Sequence, residues 1–228
     1  VSRTIVVTGA SRGLGLHIAQ RARATGFKVI GISRSGESTD GFEILKCDIA
    51  DCDSIKAVAK EITKSEQVWG VVNAAGVAAM NLAMTTPSAT VNKVVSINLL
   101  GSIYVAQAFA KHFVRNQEGR LINFSTIAVP LGLSGESVYV ASKAGVEGFS
   151  RTFAREMSEH NVTVNCIAPG PIDTDLIAKV PSAAIDKIVA QQVIKRKGTP
   201  EDIWSVASFL LSDQANMVSG QVINVGGA

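Results

Sequence analysis

Thr4-Ile5-Val6-Val7-Thr8-Gly9-Ala10-Ser11-Arg12-Gly13-Leu14-Gly15 decides how the rest of this chain is read. Its first five residues form a short apolar, β-branched run that closes on a glycine, the pattern of a buried strand. Over 14–25 the apolar residues recur at helical spacing. The glycines at 9, 13 and 15 therefore sit between a strand and a helix. In that setting a turn free of side chains lets backbone approach a pyrophosphate, whose charge is stabilised by the open N–H groups of the following helix. A mononucleotide loop would need Lys and then Ser or Thr after the last glycine, and Leu16-His17 stand there instead. The stretch predicts a dinucleotide site.

Outward from it, strand and helix patterns alternate. Further strands are expected at 28–33, 43–47, 68–73, 120–124, 162–168 and 221–225. Helices are expected near 53–64, within 87–115 and over 138–159. Thr199-Pro200-Glu201-Asp202 reads as N-cap, first-position proline and acidic first turn of a helix to about 212. Such alternation implies an α/β chain with a parallel sheet covered on both faces. Right-handed crossovers make it doubly wound and Rossmann-type, with about seven strands in one domain over 1–228. Only 34–42 separates the second and third strands, too short for a crossover helix of about ten residues or more, so a loop is expected there. Short helices are expected within 176–197.

Composition bounds the function. The chain has 228 residues, 46% hydrophobic and 18% charged, enough for a well-buried core. The net charge of +3 is spread out, with no basic run that would mark a nucleic-acid partner. Cys47, Cys52 and Cys166 form no CxxC and cannot all pair, which points to reduced thiols in a cytoplasmic setting. No apolar run of about eighteen residues and no signal peptide is read, so no membrane partner is expected. His17, His112 and His160 lack metal spacing and read as surface or helix-end residues; no metal is expected.

Two constellations carry chemistry. Tyr139 and Lys143 lie four apart in a helical pattern, so phenol and ammonium share one face. A free phenol has a pKa of ~10, and a cation ~5 Å away at an effective dielectric of ~20 favours the phenolate by about 3 kcal/mol. Lys143 is thus expected to pull Tyr139 toward neutrality as an acid/base. At the end of the second strand stand Ser33-Arg34, with Arg12 in the glycine turn. An acid there would favour NAD; two guanidiniums suit the extra phosphate of NADP(H), unless Arg34 is merely a solvated loop residue.

The glycine turn, Asn73-Ala74-Ala75-Gly76, Ser96-Ile97-Asn98, Tyr139-Val140-Ala141-Ser142-Lys143 and Pro169-Gly170, in this order, resemble the short-chain dehydrogenase/reductase family over essentially all 228 residues. Asn81-Leu82-Ala83-Met84 and the ending from Gly198 to Ile223 make the chain most like the 3-oxoacyl-[acyl-carrier-protein] reductase type. The resemblance implies catalytic roles for Asn98, Thr126, Tyr139 and Lys143. Asn98 would distort its helix and hold a relay water behind Lys143. The family's carbonyl-binding serine falls on Thr126, whose hydroxyl can make the same bond, while Ser125 on the strand should face away. For the cofactor it implies Gly9, Ser11, Arg12, Gly13, Leu14 and Gly15 at the pyrophosphate and Arg34 at the 2′-phosphate. Asp48 and Ile49 would lie at the adenine, with Asp48 also a possible cap of the next helix. Asn73, Ala74 and Gly76 would line the path; Ala74 replaces the family's usual asparagine. Tyr139 and Lys143 would bind the ribose, and Pro169, Gly170, Ile172 and Thr174 the nicotinamide. About 176–198 would be a substrate lid, and the assembly a homotetramer.

These readings converge on an NADPH-dependent reductase of a 3-oxoacyl thioester, carried by CoA or by acyl-carrier protein as partner. A reductase or dehydrogenase of another ketone, quinone or secondary alcohol is the alternative. A non-catalytic NADP-binding subunit is disfavoured by the complete Asn-Thr-Tyr-Lys set.

Overall fold

The computed structural model describes residues 3–37, 41–174 and 180–228. Strands β1 (Thr4–Thr8), β2 (Lys28–Ser33), β3 (Glu43–Lys46), β4 (Val68–Asn73), β5 (Gly119–Phe124), β6 (Val162–Pro169) and β7 (Val222–Val225) form one sheet. Every pairing is parallel, in the order β3-β2-β1-β4-β5-β6-β7. The order reverses between β1 and β4, which opens a crevice at the strands' C-terminal ends. The helices are α1 (Gly13–Ala24), α2 (Cys52–Ser65), α3 (Ser88–Val94), α4 (Gly101–Asn116), α5 (Ala128–Leu131), α6 (Ser137–Glu156), α7 (Ser182–Gln191) and α8 (Pro200–Leu211).

Strand alternation divides the apolar residues between two cores. Ile5, Val7 and Ile122 face one layer with Ile18 of α1 and Ile203, Trp204 and Leu210 of α8. Val6, Val71 and Leu121 face the other with Ile55 of α2, Phe109 and Phe113 of α4, and Phe153 of α6. Both faces being covered, the central strands read as unbroken apolar runs. Ser88–Asn116 is long and apolar enough, by length and composition, to cross a bilayer. Within it Val105, Phe109 and Phe113 are buried in the second core.

The expected Thr199 cap, Pro200 and acidic first turn of α8 are present, and the structure adds a reciprocal capping box. Thr199 accepts from the Asp202 N–H at 3.2 Å, and Asp202 accepts from the Thr199 N–H at 2.7 Å. Arg196 adds a bidentate pair to Asp202 at 2.8 and 2.9 Å, which holds that carboxyl well below the usual range. Of the loop expected at 34–42, the described residues carry no helix; 38–40 lie outside them.

Two expectations are corrected. The cap of α2 is Asp51, which accepts from the N–H groups of Asp53 and Ser54 at 3.0 and 3.2 Å; Asp48 instead bonds the Ala50 N–H at 3.0 Å. The helix begins one turn later than Asp48 could serve. His112 is buried, not a surface residue: its Nε2 accepts the Val68 N–H at 2.9 Å, and burial pushes its pKa down. It supplies the partner that the first N–H of β4 otherwise lacks. Cys47, Cys52 and Cys166 are free thiols, with Cys47 and Cys166 buried.

Candidate active site

The long helix α6 starts beside the end of β5, and its first turns bring Tyr139 and Lys143 over that strand end. Lys143 is buried, and its Nζ donates to the Phe124 carbonyl at 2.8 Å. The phenol of Tyr139 and the side chain of Thr126 line one cavity there, and the Thr126 hydroxyl favours the phenolate. Thr126 Oγ1 also accepts the Ala128 N–H at 3.2 Å, which leaves its own proton to be donated into the cavity, toward the Tyr139 oxygen or a ligand. Ser125 turns the other way, as alternation requires. Its hydroxyl donates to Glu147 Oε1 at 2.6 Å, and Glu147 is further paired with Arg151 at 2.9 Å.

Asn98 lies in a π-helical turn, Val95–Leu100, between α3 and α4, so the expected distortion of the helix is real. Its side chain is wholly buried. Oδ1 accepts the Val77 N–H at 2.9 Å, and Nδ2 donates to the Val77 carbonyl at 2.9 Å and to Ser142 Oγ at 3.1 Å. Ser142 in turn donates to the Tyr139 carbonyl at 2.7 Å. The π turn thus ties the loop after β4 to α6. Gly76 lies where both Asn98 Oδ1 and Lys143 Nζ approach, at 3.3 and 3.5 Å from the place a Cβ would take.

A cavity of about 170 Å³ opens over these groups. Of the predicted residues it is lined by Leu14, Ala74, Gly76, Thr126, Tyr139, Lys143, Pro169, Gly170, Ile172 and Thr174. The rest do not line it. Gly9, Arg34 and Asp48 follow β1, β2 and β3, so they continue along the same C-terminal edge of the sheet.

The phenol's electrostatics overturn one expectation. Tyr139 is pushed up to about 12, chiefly by burial and secondly by the charge of Glu136; only the Thr126 hydrogen bond pulls it down. Lys143 is brought down to about 8, again by burial. The ammonium donates to the Phe124 carbonyl, and desolvation is the largest influence on both groups. At neutral pH this pair is a neutral phenol beside a mostly protonated amine.

The glycine turn fits a pyrophosphate. A Cβ on Gly15 would stand 2.3 Å from the Gly9 carbonyl oxygen, so only glycine closes the turn. Gly13 has φ +58 and faces open space. The next helix, α1, begins without a side-chain cap and without an acid in its first turn, unlike α2 and α8. Its leading N–H groups and positive dipole end remain available to an anion.

A family model described as Enoyl-(Acyl carrier protein) reductase matches residues 9–227. The 3-oxoacyl-[acyl-carrier-protein] reductase MabA of Mycobacterium tuberculosis (strain H37Rv) is 39% identical over 236 residues, covering 100% of this chain and 92% of the relative. The chain belongs to the short-chain dehydrogenase/reductase family. It is thus an oxidoreductase acting on the CH–OH/C=O couple. The 3-oxoacyl-[acyl-carrier-protein] reductase FabG of Vibrio cholerae is 34% identical, with 99% of this chain and 96% of the relative covered. A solved short-chain dehydrogenase, a putative NAD(P)-dependent gluconate 5-dehydrogenase from Beutenbergia cavernae with bound NADP, superposes with a TM-score of 0.90. It is 30% identical over 98% of this chain and 94% of its own.

Three cofactor candidates of this short-chain dehydrogenase/reductase prove to have committed side chains. Asn73 is buried, accepts from Thr8 Oγ1 at 2.7 Å and donates to Asn123 at 3.3 Å, so its amide links strands. Ile49 is buried against Gly101. Asp48 is exposed but bonds its own turn. Sequence reasoning missed Ala78, Ala79, Met80, Leu133, Glu136 and Ile185, which form the cavity's outer wall. Only Ile185, on the apolar stripe of α7, carried a periodic signal.

Proposed function

We propose that this protein is an NADPH-dependent carbonyl reductase whose substrate is a 3-oxoacyl thioester. What carries the reading is the meeting of the Thr126 and Tyr139 hydroxyls in one largely apolar cavity, with Lys143 at its floor. NADPH supplies hydride when bound. The turn around Gly9, Ser11, Gly13 and Gly15 would hold its pyrophosphate, Arg12 and Arg34 the 2′-phosphate, and Tyr139 and Lys143 the ribose. Pro169, Gly170, Ile172 and Thr174 would support the nicotinamide. Thr126 and Tyr139 donate hydrogen bonds to the substrate's carbonyl oxygen, and Tyr139 gives up its proton as negative charge develops there. A phenol that stays neutral at pH 7 is in the right state to do so. Lys143 stabilises the phenolate left behind, and Asn98 anchors the water that returns its proton.

The relatives support the thioester: MabA and FabG carry 3-oxoacyl-[acyl-carrier-protein] reductase as their names. Fold alone does not choose, since the Thermoplasma acidophilum enzyme that superposes with a TM-score of 0.90 is an aldohexose dehydrogenase, 26% identical. NADPH oxidation should therefore be followed with acetoacetyl thioesters, simple ketones, quinones and aldoses, and acetoacetyl thioesters are expected to be best. The family model's description favours a second reading, reduction of an enoyl C=C bond. Faster turnover of a crotonyl than of an acetoacetyl thioester would select it.

NADPH is expected to bind at least tenfold tighter than NADH, a preference of only ~1.4 kcal/mol. Arg12 and Arg34 are exposed, and Ser33, buried and bonded to the Gly36 N–H at 3.1 Å, leaves no acid at that strand end. Arg34→Asp should move the preference toward NADH, because it removes a partner and adds a repulsive charge. Equal affinities of the unmodified protein in a fluorescence titration would refute the assignment.

The assembly is proposed to be a homotetramer in the cytoplasm. β7 is an edge strand whose Val222, Ile223 and Val225 are half-buried, and edges of this kind are usually covered. Light scattering at micromolar concentration should give four times the chain mass; a monomer would contradict it. The lid is proposed to be 176–198, where α7 lines the cavity with Ile185 and Ile188; 176–179 lie outside the described residues.

A further inference from the structure

The apolar wall of the cavity carries one carboxylate among its described residues. Glu136 lines it together with Ile127, Leu133, Ile185 and Ile188. It occupies the residue just before α6, where a side-chain oxygen ordinarily takes up the helix's free N–H groups, yet it makes no such bond. Among the described residues its carboxylate has no ion pair, and burial alone acts on it, raising its pKa above the usual carboxylate range. Lys143, the one cation among the described lining residues, donates to the Phe124 carbonyl and forms no ion pair with Glu136.

A carboxylate held in an apolar wall costs desolvation energy, and here it returns neither a cap nor a salt bridge. It does act at the reacting group: its charge is the second cause raising the Tyr139 phenol. A group near enough to disfavour a phenolate disfavours any other anion placed against Tyr139. We propose that Glu136 is a charge filter, admitting neutral ketones, esters and thioesters and excluding carbonyl compounds that bear a free carboxylate. The inference rests on the reading that this cavity is where a carbonyl is reduced. A 3-oxo acid and its thioester share the reacting carbonyl and differ in charge at C1, so the filter separates the conjugated substrate from the free acid.

The test compares acetoacetate with methyl acetoacetate as substrates for the unmodified protein, Glu136→Gln and Glu136→Asp, with NADPH oxidation as readout. The unmodified protein is expected to favour the ester strongly. In Glu136→Gln the ratio of the two kcat/KM values should shift toward acetoacetate by at least about tenfold, the effect of a like charge even ~12 Å away at an effective dielectric of ~20. Glu136→Asp, which keeps the charge, should keep the selectivity. Relief of the phenol acts on both substrates alike and cancels in the ratio. A ratio unchanged in Glu136→Gln overturns the filter while leaving the carbonyl-reductase reading intact. An unmodified protein that reduces neither the ester nor an acetoacetyl thioester overturns both.

Discussion

Tyr139→Phe is expected to reduce carbonyl turnover by about a hundredfold to ten-thousandfold, the usual range for losing a positioned general acid. The phenol is raised to about 12, so at neutral pH nearly every molecule holds the proton that the reduction consumes. Lys143, the other proton-bearing group at the cavity floor, already donates to a backbone carbonyl. Phenylalanine keeps the ring and its packing on α6. NADPH affinity, measured by fluorescence, should therefore change far less than turnover. Retention of more than about a tenth of the activity would assign the proton to another group.

Thr126→Val is expected to cost about a hundredfold in turnover, near 3 kcal/mol, the typical loss of one oxyanion donor. Valine matches threonine in shape and removes only the hydroxyl. Thr126→Ser should retain most activity, because the donor survives. Ser125→Ala is the informative control. Its hydroxyl is buried on Glu147 at 2.6 Å, so its loss leaves a buried carboxylate short of a partner. The expected penalty is in stability, about 1–3 kcal/mol read as a lower Tm, with kcat little changed. The opposite pattern, Ser125→Ala crippled in turnover and Thr126→Val normal, would place the carbonyl-binding hydroxyl on Ser125.

Both experiments use residues that were legible before any coordinates. The glycine turn, the Tyr139–Lys143 spacing and the register of Thr126 depend on chemistry a few residues long, and short-range chemistry is written locally. The same holds for the strands. Their apolar runs are continuous because both sheet faces are covered, and the caps and prolines that end the helices lie within one turn of those ends. Asp51 shows how narrow the margin is: three residues separate the cap that formed from Asp48, whose alternative reading is that cap.

By itself the sequence determined the parallel α/β architecture, the place of the crevice and that Thr126, Tyr139 and Lys143 meet there. Tertiary structure alone decided their electrostatic state. Spacing implied a phenol drawn down by Lys143, but burial acts through every atom that excludes water, and that shell is assembled from β5, β6, α6 and α7 together. It raised Tyr139, lowered Lys143 and left Glu136 in the cavity wall without a partner among the described residues. No local pattern marks the wall residues Ala78, Ala79 and Met80 either, because their neighbours in space are remote in sequence. Desolvation and shape are properties of the packed whole, so they became visible only once the chain was folded.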